Sequence, residues 1–369
     1  MAKKNNRTTN QNLKDEYKKK YASSKELSDA SKSDMSRASS IIPASALYDS
    51  IRRSEKRMSS NSENVKNIQP IRGIIDWTNG STQGWDLLAS QSLPTPENLL
   101  LLDTYSGAAA AYSLRKLRTD YSGSAIRVRE SGGNTEADIG FDSNGDLDTV
   151  ALLAHCGAND GFVATWYDQS GNGNDISNPV VTSQAKIVNT GSVVTLNSKP
   201  AFDSEGITTF NLSSSNTQLW TGNKSYSMFS AFGLSGVVST QHLSTYIGGS
   251  PDTYRLAMLS GNNLRLQSFD NSGGNSLSSA TVSTNANFIA SIFRTQSTTQ
   301  VFANNVGGTE ITGLNPPAEP TTTSDFSYGG LGSSFVFQGL STEFIIYALD
   351  QTSNRSAIEA NINEYYTIY

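Results

Sequence analysis

From about residue 99 onward, short apolar runs alternate with turn-forming pairs of glycine or asparagine. Typical apolar runs cover residues 227–232 and 288–293, and typical turn pairs are residues 273–274 and 304–305. Runs of about six residues bounded by such turns are typical of β-strands, because helices need longer periodic stretches. Only 17% of the residues are charged. This pattern predicts a β-sandwich with many turns and argues against a helical bundle.

Local patterns place individual elements within this body. An alanine-rich stretch predicts a helix over 108–117, and Asp148 and Gly157 suit the start and stop of a helix through 150–154. Trp220, Tyr246 and Tyr254 could stack on sugars, but in a sandwich most such rings pack in the core. Strands are predicted at 124–130, 162–167, 227–232, 264–266, 288–293, 300–302 and 342–347, and turns at 248–249, 273–274, 304–305 and 307–308.

The charge is divided unevenly along the chain. Residues 1–72 contain 16 Lys and Arg against 8 Asp and Glu, a net charge of +8, whereas the rest carries 12 basic and 25 acidic residues, a net charge of −13. The basic part has few large apolar residues and cannot build a core of its own. We therefore predict three parts: a basic extended or helical arm at 1–72, a connector at 73–98 packed against the following domain, and a sandwich at 99–369.

Three interpretations of the basic arm stay open at this point. It is a solvated tail, a binder of nucleic acid or another acidic surface, or a segment that orders when it docks on a partner or on copies of itself. Only Tyr17, Tyr21 and Tyr48 interleave with its basic residues, which is weak support for single-stranded nucleic acid. We favour docking.

Several site classes find no support in the sequence. The first 20 residues are basic but lack an apolar core of about 7–15 residues, so we expect no export by the usual secretion path. No apolar run approaches the roughly 18 residues of a membrane span. Cys156 is the only cysteine, and His155 and His242 are the only histidines. We therefore expect no internal disulfide, no Cys/His zinc site and no Ser/His/Asp arrangement, and we interpret His155–Cys156 as a helix end.

One string resembles a calcium-binding loop. Residues 142–148 read DSNGDLD and alternate oxygen-bearing side chains. An EF-hand loop needs glycine at its sixth position and glutamate at its twelfth. Here these positions hold Leu147 and Leu153. We therefore predict a hairpin tip that leads into a helix cap, and no metal or other cofactor.

A series of longer motifs resembles a known family. In order, these are DTYSGAAAAYSLRKLR from Asp103, YSGSAIRVRES from Tyr121, DIGFDSNGDLDTVALLAHCG from Asp138, GFVATWYDQSGNGNDI from Gly161 and AKIVNTGSVVTLNSKPAF from Ala185. Together they resemble the first part of the α-L-arabinofuranosidase B catalytic domain, which implies a concanavalin-like, two-sheet jelly roll. The strand at 342–347 and a following helix to residue 366 resemble the end of laminin-G-like jelly rolls. Similar stretches occur in surface and virion proteins of phages that infect Bacteroidetes-type bacteria.

The departures from this family concern its chemistry. The resemblance implies two catalytic carboxylates for retaining hydrolysis, a vicinal cysteine pair that lines the sugar pocket and a disulfide near position 156. The chain has no such cysteine pair, and Asp252, Asp270 and Glu310 lie in no matching motif. Asp168 and Asp175 do lie in the matching YDQSGNGND segment, where we expect them to stabilise a turn. The resemblance therefore carries the fold and not the activity, and we assign no catalytic, metal-binding or glycan-binding residue.

These observations favour a particle component over an enzyme. A product without an export signal reaches polysaccharides outside the cell most simply as part of a virion, released when the host lyses. We expect a phage head fibre or tail appendage whose arm, residues 1–72, docks on capsid or tail proteins, whose copies form a trimer, and whose jelly roll faces solvent with host glycan as a candidate ligand. The alternative is a divergent arabinofuranosidase-type hydrolase or depolymerase. Binding of nucleic acid through the arm is the least favoured of the three hypotheses, because the body is acidic.

Overall fold

A computed structural model of the chain describes residues 100–204, 212–214, 219–235, 240–247, 253–259, 262–320, 325–330 and 335–369. The predicted arm, the connector and the turn at 248–249 lie outside these residues, so they stay predictions.

The described part is mainly β-structure. Its α-helices are α1 (Leu101–Thr104), α2 (Thr149–Cys156) and α3 (Arg355–Tyr366), and two 3₁₀ turns cover Val181–Ser183 and Thr352–Asn354. The strands are β1 (Ala108–Ser113), β2 (Ile126–Glu130), β3 (Glu136–Ile139), β4 (Gly161–Trp166), β5 (Ile176–Ser177), β6 (Ala185–Asn189), β7 (Ser192–Val193), β8 (Thr195–Leu196), β9 (Lys199–Pro200), β10 (Phe202–Asp203), β11 (Leu212–Ser214), β12 (Tyr226–Leu234), β13 (Gln241–Ile247), β14 (Tyr254–Leu259), β15 (Asn263–Phe269), β16 (Asn275–Thr281), β17 (Asn287–Arg294), β18 (Thr299–Ala303), β19 (Val306–Gly307), β20 (Asp325–Tyr328) and β21 (Gly339–Tyr347).

The strands form a two-layer antiparallel sandwich. In the back layer, β1 and β10 pair with one edge of β21, and β12, β17, β18 and β19 follow on its other edge. The front layer runs β3–β2–β4–β5–β11–β20–β13–β14–β15–β16. Strand β6 pairs with both β4 and β10 and so joins the layers at one end.

Aromatic side chains fill the space between the layers. Phe326 on front strand β20 stacks on Tyr112 and on Phe344 of the back layer, with ring centroids 6.2 Å apart in each case. Trp166 packs edge-on against Phe202 and Tyr328 at 4.8 and 5.5 Å. Each of these six side chains is fully buried. Such rings bury large apolar areas, so they contribute a major part of the core's stability.

A second core lies on the outer face of the back layer. Helix α3 covers this face through Ile358, Ile362 and Tyr366, which belong to one buried cluster with Phe229 and Ile345. Strands β12 and β21 are therefore covered on both faces, and almost all of their residues are buried rather than every second one.

A buried ion pair anchors α3 to the sheet. The Arg115 guanidinium donates to both carboxylate oxygens of Glu343, from Nε at 2.8 Å and from Nη2 at 3.0 Å. Nη2 also donates to Asn361 on α3 at 2.9 Å, and the guanidinium lies 5.0 Å from the ring of Tyr365. Glu343 is fully buried and accepts a further hydrogen bond from Ser113. Because the two hydrogen bonds are bidentate, each charge is neutralised by the other although neither is solvated by water.

Most predicted elements are confirmed. The strands over 124–130, 162–167, 227–232, 264–266, 288–293, 300–302 and 342–347 are all present, as are the turns at 273–274 and 304–305. Helix α2 begins at Asp148, whose carboxylate accepts from the Ala151 N–H, and ends at Gly157, as predicted. The 142–148 string forms the predicted hairpin tip, since the Asp142 N–H donates to the Asp146 carbonyl at 2.8 Å.

Two predictions of local structure are wrong. The alanine-rich stretch forms strand β1 rather than a helix, because its backbone pairs with β21 along one edge and all six of its side chains are buried. Helix propensity is a weak preference, and tertiary pairing overrides it here. Gly307 lies in the short strand β19 and pairs with Phe302, so the predicted turn at 307–308 is displaced.

Candidate functional site

The loop over 168–175 follows strand β4 and reads DQSGNGND. Gly171 and Gly173 have φ of +91° and +72°, values that side chains with a Cβ rarely adopt. A Cβ on Gly171 would also lie 2.6 Å from the Arg118 Nη1 atom. The two glycines let the chain turn back on itself, so polar side chains of the loop face strand β1.

These polar side chains take the place of a neighbouring strand. The amide nitrogen of Asn172 donates to the carbonyls of Ala108 and Ala109 at 2.9 and 3.1 Å. The Gln169 amide donates to the carbonyls of Ser113 and Arg115, both at 3.0 Å. The free edge of β1 is thereby satisfied without a paired strand, which protects it from pairing with another chain.

Asp168 is the centre of the loop. Its Oδ1 accepts from the N–H groups of Ala111 and Ser170, each at 2.8 Å. Its Oδ2 accepts from the Ser170 hydroxyl at 2.7 Å and the Asn174 N–H at 3.0 Å. Asp175 accepts from the Asp168 N–H at 2.8 Å. Both carboxylates hold the loop in shape, which confirms the expected turn-stabilising role.

An open cleft borders this loop. Its volume is about 480 Å³, within the range of about 300–1,000 Å³ that is typical of small-molecule sites. Its polar wall is the pair Arg118–Asp120, in which Nε donates to Oδ1 at 2.8 Å and Nη2 to Oδ2 at 2.6 Å. The residues that line it are Leu102, Asp103, Ser106, Gly107, Ala108, Arg118, Thr119, Asp120 and Ser170. We call this feature the Arg118 cleft.

The wall of the Arg118 cleft is held in place from behind. Nη1 of Arg118 donates to the Ser170 carbonyl at 2.5 Å, which ties the guanidinium to the 168–175 loop. Thr119 donates from its N–H and from its hydroxyl to Asp103, at 3.1 and 2.6 Å. The hydrogen bonds from Arg118 lower the pKa of Asp120, so this carboxylate stays ionised at neutral pH. The cleft therefore presents a rigid set of donors and acceptors.

The other residues singled out from sequence do not converge on a site. Trp220, Tyr246 and Tyr254 are buried in the core, in line with their core interpretation. Cys156 is 1% exposed, and the His155 ring nitrogen Nε2 lies 3.1 Å from the Val128 carbonyl, as fits a helix end.

The described residues contain neither a metal-binding cluster nor a membrane-spanning helix. Among them, no group of three or more His, Cys, Asp or Glu side chains could hold a metal ion. Within the same ranges, no helix is long and apolar enough to cross a membrane.

Sequence reasoning missed the Arg118 cleft. Arg118 and Asp120 are two positions apart. Ser106 and Ser170 line the same cleft only because the chain returns after β1, where the Leu102 N–H donates to the Leu117 carbonyl, and because the 168–175 loop lies along β1. No sequence motif marks such a site, because its walls come from segments that are distant in sequence.

Comparisons with known proteins give a structural likeness only. No family model matches the chain, and no curated protein matches it. A GH54 α-L-arabinofuranosidase soaked with a cyclic sulfate inhibitor is 16% identical, with 69% of this chain covered, 62% of that chain covered and a TM-score of 0.51. The chain has the arabinofuranosidase B jelly-roll fold. This agrees with the resemblance carried by the sequence motifs.

A second arabinofuranosidase structure, complexed with arabinofuranosyl-α-1,2-xylobiose, is 17% identical with the same coverages and a TM-score of 0.45. The chain spans 62% of the length of both matched proteins. At these identities the likeness concerns the fold alone.

Proposed function

We propose that this chain is a structural protein of a bacteriophage particle, a head fibre or tail appendage. Its arm, residues 1–72, docks on a capsid or tail protein, and its jelly roll faces solvent and binds host surface glycan. The observation that carries the proposal is the division of charge, with +8 on a core-poor arm and −13 on the rest of the chain. A basic segment without a core of its own gains order only on a surface, and an acidic protein lattice or a second copy supplies one.

The 168–175 loop supports a scaffold role for the jelly roll. Its two carboxylates are engaged by backbone N–H groups, and Asp168 is 4% exposed. A carboxylate held in this way serves the fold rather than a substrate. The fold in turn favours glycan as the ligand, because the solved structure that shares it is an α-L-arabinofuranosidase.

The second candidate function is a divergent glycoside hydrolase, which the fold likeness also favours. A retaining hydrolase requires two carboxyl groups about 5–5.5 Å apart on the substrate face. Release of 4-nitrophenol from 4-nitrophenyl α-L-arabinofuranoside by the full chain would support this alternative against the appendage.

The assembly part of the proposal is tested by the mass in solution. Light scattering is carried out on the full chain and on a chain that starts at Gly73, which keeps the whole compact unit Leu93–Tyr369. We expect three times 39.6 kDa for the full chain and a monomer for the shortened one. Two monomers would contradict self-assembly through the arm.

A further inference from the structure

We propose that the Arg118 cleft is a binding site for one neutral sugar residue, recognised through a pair of vicinal hydroxyls. This inference names the ligand site of the proposed function and rests on it. Asp168 and Asp175 hold the loop beside the cleft from within, so they are not available to a ligand.

The cleft has the size and floor that a sugar ring needs. Its volume of about 480 Å³ holds a monosaccharide with room for a linking atom. Leu102 and Ala108 line it but are only 3% and 6% exposed, so the apolar part of the floor is narrow. Such a strip suits the edge of a pyranose or furanose ring, while the polar wall suits its hydroxyls.

The Arg118–Asp120 pair supplies matched donors and acceptors. A guanidinium carries five N–H donors, and three of those on Arg118 have partners in the described part of the chain, namely the two Asp120 oxygens and the Ser170 carbonyl. Two donors therefore remain for a ligand. Each Asp120 oxygen accepts one hydrogen bond from Arg118 and keeps capacity for another, and the side chain is 69% exposed. A hydroxyl both donates and accepts, so two neighbouring hydroxyls can bond to this planar pair together.

The site is organised before any ligand arrives. Arg118 is fixed by three hydrogen bonds, and Thr119 is fixed by the Asp103 carboxylate. A preorganised wall loses little side-chain freedom on binding, which improves affinity without additional contacts.

Charge selects a neutral ligand over an acidic one. Two carboxyl groups and one guanidinium line the cleft, those of Asp103, Asp120 and Arg118. The Lys116 ammonium lies beside it and donates to the Thr119 carbonyl at 3.1 Å, so the cleft carries no excess positive charge. The single guanidinium is already paired with a carboxylate at 2.6 Å. A uronic or sialic acid would meet two like charges at the wall, and like-charge contacts oppose binding.

The affinity of one cleft is weak, and assembly compensates for this. Among the described residues that line the cleft none is aromatic, so this lining offers no ring stacking of the kind that strengthens many sugar contacts. We expect a dissociation constant on the order of 1 mM for a single glycoside. Several clefts on one particle raise the overall avidity, because later contacts form at a high effective concentration.

The test is saturation-transfer difference NMR on the full chain. The probes are the methyl glycosides of glucose, galactose, mannose and L-arabinose, each at millimolar concentration, with glucuronic acid as the acidic comparison. The test variant is Asp120→Ala. The matched control is Asp138→Ala, which removes another bidentate Arg–Asp pair at the surface, outside the cleft, where Arg127 donates at 2.8 and 2.9 Å. A second test variant, Ser106→Trp, fills the cleft from its other side.

We expect a transfer signal from at least one neutral glycoside and none from glucuronic acid. That signal should fall at least fivefold in Asp120→Ala and in Ser106→Trp and remain unchanged in Asp138→Ala. Absence of signal from all four glycosides, a signal that survives both cleft variants, or an equal loss in the control would overturn the site. A stronger signal from glucuronic acid would overturn the ligand class. The mass measurement on the arm is independent of all these outcomes, so failure here is distinguishable from failure of the appendage role.

Discussion

The Asp168→Asn substitution tests whether the 168–175 loop is a structural replacement for a strand. The Asp168 carboxylate accepts four hydrogen bonds at 2.7–3.0 Å, three of them from backbone N–H groups. In asparagine an NH₂ group replaces one of the two oxygens. Whichever oxygen is replaced, two of the four bonds are lost and at least one backbone N–H loses its partner.

The expected cost follows from these bonds. Hydrogen bonds to a charged group contribute about 1.5–3 kcal/mol each, so the loss of two should lower the free energy of unfolding by about 3–6 kcal/mol. The comparison variant is Asp142→Asn. Asp142 holds a similar turn, since its Oδ1 accepts from the N–H groups of Asn144 and Asp146, but the site is exposed. Water replaces the lost partner there, so we expect a cost of only about 0.5 kcal/mol.

The assay is equilibrium urea unfolding of the full chain, followed by tryptophan fluorescence, because Trp166 is fully buried next to the loop. The free energies of unfolding of the two variants are compared with that of the unchanged chain under identical conditions. If Asp168→Asn costs no more than Asp142→Asn, the four hydrogen bonds do not stabilise the jelly roll and the structural account of the loop is wrong.

Two further predictions concern buried ionisable groups. Glu343→Gln leaves the Arg115 guanidinium without its charge partner, so the free energy of unfolding should fall by about 3–5 kcal/mol; the exposed Glu364→Gln is the control in the same urea assay, and equal losses would contradict the pairing. Burial, assisted by Arg255 and Arg265, lowers the pKa of His242 from 6.5 to about 4, and its ring stacks on Phe335 at 4.7 Å. Because the unfolded chain takes up the proton first, His242 should reduce stability progressively as the pH falls from about 6.5 to about 4. NMR titration of the ring protons, assigned with His242→Phe, checks this, and a midpoint near 6.5 would contradict it.

The sequence was most informative where one face of an element decides its structure. Strand β2 alternates apolar and charged residues in sequence, which predicts it, and its apolar Ile126 and Val128 are buried as expected. Helix α2 is marked by its own cap and stop at Asp148 and Gly157. Such signals lie within a few residues of the element itself, and reasoning from local chemistry therefore succeeds.

The sequence was least informative where distant segments decide the structure. The alanines of β1 favour a helix in isolation, and only pairing with β21, which lies more than 200 positions away, makes them a strand. The Arg118 cleft also depends on distant segments. Ser106 and Ser170 line it together only because the 168–175 loop lies along β1. The resemblance to the arabinofuranosidase fold supplied the long-range order that local patterns lack.

We propose that this chain belongs to a phage particle. The most direct measurement is immunogold electron microscopy of phage particles purified from a lysate of the strain that produces the chain, with antibodies raised against the full chain. If the chain is part of the particle, we expect gold label at a fixed place on the surface of intact particles. We also expect the chain's peptides in the mass spectrum of the same preparation. Unlabelled particles, with the chain recovered only from the particle-free fraction of the lysate, would contradict it.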